Sequence, residues 1–192
     1  MGLVVALPCF ALVFFGHEVL AVWINTKVAD EAALTMAWLA AGFFFNAVVS
    51  NAYMAAVACG QPNLPLKVNL FALVVYLPAL YWLTRLYGIS GAAAAYAGLN
   101  AYYVFSLVPL VQVRVIGQGF GVWLRENLLP FVLVGVGAFG GAKIIALMMQ
   151  PGWRTVASLA LGVAVYAATA WFLLSVSLRS DLTGALKRVI PQ

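Results

Sequence analysis

Long apolar runs separated by short polar gaps set the pattern of this chain. Six runs, at residues 1–24, 32–59, 68–86, 88–113, 128–149 and 155–178, each carry no more than one formally charged side chain. Each is long enough to cross a hydrocarbon core of about 30 Å as a helix, which takes about 20 residues. In lipid every backbone N–H and C=O must be satisfied within the spanning structure, so the choice lies between helices and a closed barrel. A barrel strand needs about ten residues of alternating polarity, whereas residues 131–139 are apolar without interruption. The pattern predicts an all-α, polytopic membrane protein of about six transmembrane helices.

Composition agrees with this reading. Residues of the hydrophobic set make up 66% of the chain and charged ones 8%, too few to coat a water-soluble domain. Numbered by alternating sides, the gaps place Lys67, Arg114, Arg125, Arg179, Lys187 and Arg188 on one face. The other face receives Lys27, Arg85 and Arg154, with Asp30 and Glu31 beside the first of them. The basic excess marks the first face as cytoplasmic. The expected location is therefore the cytoplasmic (inner) membrane, multi-pass, with both termini in the cytoplasm. Trp23, Trp82, Tyr87 and Trp153 fall near the predicted outer boundary and Trp123 near the inner one, as in an interfacial aromatic belt. The net charge of +5 follows from this topology and calls for no nucleic acid partner. Membrane lipids are the immediate surroundings, and Lys187 and Arg188 are placed to meet anionic head groups.

Candidate chemistry is sparse. Cys9 and Cys59 lie within or at the end of apolar runs, with no spacing that suggests a metal site or a redox pair. No nucleophile–base pair, paired carboxylates, metal-ligand cluster or phosphate-binding glycine loop occurs, so neither catalysis nor a cofactor is expected. Met1 opens directly into an apolar run with no basic leader to orient it. That predicts a chain forming the later part of a longer protein.

The most distinctive stretch is residues 60–100. Gly60-Gln61-Pro62-Asn63-Leu64-Pro65 ends one helix and restarts another, and Lys67 and Asn69 follow at the membrane edge. Pro78, in Tyr76-Leu77-Pro78, sits near the centre of the third run, where a proline removes a helix hydrogen bond and provides a hinge. A short turn at Thr84-Arg85-Leu86-Tyr87 leads into Gly88-Ile89-Ser90-Gly91-Ala92-Ala93-Ala94-Ala95, whose small residues at spacing four allow close helix packing.

The order Gly60, Pro62, Asn69, Tyr76-Leu77-Pro78, Gly88 and Gly91-Ala92-Ala93 resembles the C-terminal half of polysaccharide and O-antigen flippases. These belong to the multidrug/oligosaccharidyl-lipid/polysaccharide exporter superfamily. Residues 15–24, Phe15 to Ile24, are similar to that family's pattern before an outer loop. The resemblance covers roughly residues 5–115. It implies a four-helix portion of the C-terminal bundle over 1–115, a cytoplasmic loop at 116–126, a transmembrane hairpin at 127–178 and a cytoplasmic tail at 179–192. It also implies two pseudo-symmetric bundles around a cavity of alternating access, of which six spans supply only part. The implied function is flipping of a lipid-linked, undecaprenyl-type oligosaccharide or polysaccharide precursor, with polysaccharide assembly proteins as further partners.

Within that frame Asn46, Ser50 and Tyr53 share one helical face, with Asn51 on an adjacent one. This stripe suits either cavity-lining contact with sugar hydroxyls or hydrogen bonding between helices. Asn69, Asn100 and Ser106 carry the same two readings. Lys143, two turns inside the fifth run, is a cavity candidate for a pyrophosphate-linked substrate, or a lysine that snorkels to the interface. Arg85 is a candidate at the outer mouth. His17 and Glu18 lie two turns from the outer end of the first run and point in different directions. No carboxylate falls near a predicted midplane, which weighs against the alternatives' leading member, a multidrug/cation antiporter of the same superfamily. A non-transporting scaffold subunit is the other alternative.

Overall fold

A computed structural model describes residues 2–148 and 156–171, and all regular structure among them is helical. Helix α1 is Gly2–Trp23, α2 Thr26–Ala58 and α3 Asn63–Val111. Helix α4 runs through Phe120–Met148, and α5 is the shorter apolar helix Val156–Trp171. Four of these are long and apolar enough to cross a membrane: α1, α2, α3 with its extension to Ile116, and α4. The positions assigned to Trp153, Arg154, Arg179, Lys187, Arg188 and the tail lie outside the described residues.

Local chemistry explains most of the breaks. Asn25 caps α2, its side-chain oxygen accepting from the Val28 N–H at 2.9 Å. Because of that cap α2 starts at Thr26, so Lys27, Asp30 and Glu31 are helical rather than in the loop expected before residue 32. Gly60, at φ 71°, closes the other end. Its N–H bonds to the Val57 carbonyl and the Gln61 N–H to Ala56, the paired bonds of a left-handed helix stop.

Helix α3 is 49 residues long by hydrogen bonding, but it is folded at Gly88, the one interior residue with non-helical angles (φ 60°, ψ −138°). Phe71 and Tyr102 are 31 positions apart, about 46 Å along a straight helix, yet their rings stack at 6.3 Å. Residues 63–87 and 89–111 are therefore two antiparallel arms. The turn expected over Thr84–Tyr87 is confined to Gly88, because a residue without Cβ adopts these angles without steric penalty and helix continues up to it. A methyl on Gly91 would overlap the Leu83 carbonyl, which shows how closely the arms meet. Pro78 lies within the first arm, ten residues before the reversal.

The remaining pairings include both directions. Helix α1 runs antiparallel to α2, with Phe10 against Phe44 and His17 against Asp30. It runs parallel to α4, where Gly135 accommodates the Phe10 ring and Gly140 the Phe14 ring. The second arm of α3 runs parallel to α2, joined at Thr35–Ser90 and Asn46–Asn100. Phe139 of α4 meets Tyr166 of α5 at 6.0 Å, over Gly162. The centre of the bundle holds Phe15, Val104, Leu107, Val108, Val111, Phe139 and Tyr166. Its outside exposes Leu70, Phe71, Val74, Trp82, Ile89, Leu133 and Leu147, an apolar surface suited to hydrocarbon. Lys67, Arg114 and Arg125 mark one end of the bundle, and Arg85 lies at the other beside the fold at Gly88.

Candidate functional site

The polar stripe of α2 lands on a groove between α2 and both arms of α3. Asn46, Ser50 and Tyr53 line a cavity of about 250 Å³ together with Asn69 of the first arm and Tyr103 and Leu107 of the second. Spacings of four and three on α2 set its three residues on one face, as the helical period requires. Asn69 reaches them because Gly60 turns the chain back on α2 six residues after Met54.

Within the stripe the roles divide. The Asn46 side-chain amide donates to the Asn100 carboxamide oxygen at 3.0 Å, and Asn100 donates to the Tyr96 carbonyl at 2.9 Å. Asn100 is 2% exposed, so its bond from Asn46 is structural glue between the parallel helices, while its bond to Tyr96 stays within its own helix. Ser50 donates to the Asn46 carbonyl of its own helix at 2.8 Å, and Ser106 likewise to Tyr102. Tyr53 and Asn69 are exposed in the groove. Asn46 and Asn100 bridge the helices, while Tyr53 and Asn69 leave their polar groups open in the groove.

Lys143 and Arg85 stand apart from this groove. Lys143 donates to Glu18 of α1 in an ion pair that ties α1 to α4, with its amino group 4.9 Å above the Phe15 ring centroid. Side-chain exposures of 31% for Lys143 and 23% for Glu18 place the pair partly inside the bundle. The lysine turns sideways to a partner helix, a contact between positions 125 residues apart that the sequence does not announce. Beside it His17 donates to Asp30 at 2.8 Å. Arg85 donates to the Tyr81 hydroxyl at 3.2 Å on the exposed first arm of α3.

A second cavity, of about 460 Å³, was not foreseen. Its wall includes Asn51, Gln112, Gln118, Trp123 and Asn127. It lies at the bundle end marked by Arg114 and Arg125. Two five-residue π-helical turns, Gln112–Ile116 and Leu124–Leu128, supply parts of the wall, and no apolar periodicity signals such widened turns. Trp123 stacks on Phe120 at this cavity. No cluster of three metal-binding side chains occurs among the described residues.

Family models, curated proteins and solved structures were compared with the chain, and none matches. The functional reading therefore rests on geometry and on the residues of the 60–100 stretch.

Proposed function

We propose that this chain belongs to a transporter that flips lipid-linked oligosaccharide or polysaccharide precursors across the cytoplasmic membrane. The observation that carries the reading is the groove of Asn46, Ser50, Tyr53 and Asn69 inside a bundle whose outside is apolar. The groove runs from Asn46, well within the second run, to Asn69 at the membrane edge. The open Tyr53 hydroxyl between them is expensive to keep inside a bilayer unless a polar cargo or water meets it. Uncharged groups that both donate and accept suit the hydroxyls of a glycan. On this reading the two arms of α3 cross separately and the shorter α5 makes a sixth crossing, which would put both termini on the cytoplasmic side with Lys67, Arg114 and Arg125. Exchange of a cation for protons is less well supported. That chemistry needs an available carboxylate inside the membrane, and the Glu18 charge is balanced by Lys143.

The test is loss of the protein in its own cell. The reading predicts that lipid-linked precursor accumulates in the cytoplasmic leaflet while surface glycan falls. Normal surface glycan with no accumulated precursor would remove the reading.

A further inference from the structure

The second cavity offers an unfilled hydrogen-bonding wall. Gln112 is 4% exposed, and its Oε1 is buried with no hydrogen-bond partner. Buried carboxamide oxygens are normally satisfied, so this acceptor waits for a donor. Two neighbours each commit one of their two amide N–H groups elsewhere. Asn127 donates to the Trp123 carbonyl at 3.2 Å, and Gln118 donates to the Glu126 carboxylate at 3.4 Å. Their carbonyl oxygens remain as further acceptors, and Asn51 adds a fourth carboxamide. Among the described residues no charged side chain contributes to the wall. The Trp123 indole is held by its stack on Phe120, with centroids 5.8 Å apart and planes inclined by 17°. A volume of about 460 Å³ falls within the range typical of small-molecule sites, about 300–1,000 Å³.

We infer that this cavity binds an uncharged, polyhydroxylated ring, in chemical terms a sugar unit. Hydroxyl groups donate to the waiting acceptors, and because they also accept they satisfy a carboxamide turned either way. Among the described residues the wall offers no cation to an anionic group and no carboxylate to an ammonium group. The indole supplies an apolar edge for the C–H faces of the ring. The inference goes beyond the transport reading: it concerns a separate cavity at one end of the bundle, and it concerns binding rather than movement.

The test is titration of the purified full-length protein in phosphatidylcholine nanodiscs, which avoid sugar-headed detergents. The probes are methyl glucoside and the methyl glycoside of N-acetylglucosamine, with glucose 1-phosphate and choline as charged comparators. Saturation-transfer NMR and calorimetry should detect a neutral glycoside and show at least about tenfold weaker binding of both charged probes. Gln112→Leu should weaken binding about tenfold, because a site built to hydrogen-bond its ligand loses most when one partner is removed. Trp123→Ala should abolish it, and Trp123→Phe should retain most of it. Asn127→Ala, at an exposed position, carries the test should Gln112→Leu not fold. Absence of neutral glycoside binding, equal binding by the folded variants, or tighter binding of glucose 1-phosphate or choline would overturn the inference. Binding without transport would leave it standing while removing the transport reading, so the two fail separately.

Discussion

Glu18 on α1 and Lys143 on α4 form an ion pair beside the Phe15 ring, and this pair joins the first helix of the chain to the fourth. Breaking a buried pair from one side typically costs about 3–5 kcal/mol, because a charge is left without its partner. Here both side chains keep partial solvent contact, so Glu18→Gln or Lys143→Met should each destabilise by a smaller amount, about 1–2 kcal/mol. The double variant should lie closer to the parent than the sum of the singles. Thermal unfolding of the purified variants in one detergent checks this, and strict additivity would contradict the pair.

The fold at Gly88 depends on close approach of the two arms of α3. Gly91→Ala should lower thermal stability markedly, since the added methyl meets the backbone carbonyl of Leu83, which cannot rotate away. Gly98→Ala, where an added methyl meets nothing within 4 Å, should be neutral or slightly stabilising. Equal melting temperatures for the two variants would mean that the arms do not meet as described.

Asn46 and Asn69 share a groove but should respond differently. Asn46→Leu removes the donor to buried Asn100 and should reduce stability by about 1 kcal/mol. Asn69→Leu leaves the helix contacts intact and should reduce transport at normal expression and normal melting temperature. Normal transport by Asn69→Leu would restrict the groove to a structural role.

The two cysteines report orientation without added labels. Cys59 is exposed at the end of α2 and Cys9 is buried in α1. A membrane-impermeant maleimide should label Cys59 in inverted vesicles and spare it in intact cells, with Cys9 unreactive in both. Labelling of Cys59 from outside intact cells would reverse the topology.

Much of the helical plan was legible because helix boundaries follow local rules. Gly60 with Pro62 and Gly88 stand where the chain breaks, since glycine and proline act on the backbone near their own position, whereas only residues 117–119 of the loop expected at 116–126 are non-helical. The shared face of Asn46, Ser50 and Tyr53 was equally legible from the 3.6-residue period. The start of α2 was misplaced by six residues, because charged Lys27, Asp30 and Glu31 read as loop although Asn25 caps a helix that contains them. Contacts between distant helices were not legible. The Glu18–Lys143 pair requires α1 to run beside α4, and hydropathy does not encode which helices are neighbours. The Gln112 cavity depends on two π-helical turns that shift side chains away from the regular period.

The most direct measurement is flipping by the full-length protein in liposomes. A fluorescent lipid-linked oligosaccharide is placed in both leaflets, and the fraction accessible to an external glycan-modifying enzyme is followed with time. Wild-type protein should make nearly all of the probe accessible, while Tyr53→Leu and Asn69→Leu should leave about the half expected for a sealed bilayer. Wild-type liposomes that stop at half, or variants that flip as fast as wild type, would contradict the groove between α2 and α3 as the path of a glycan.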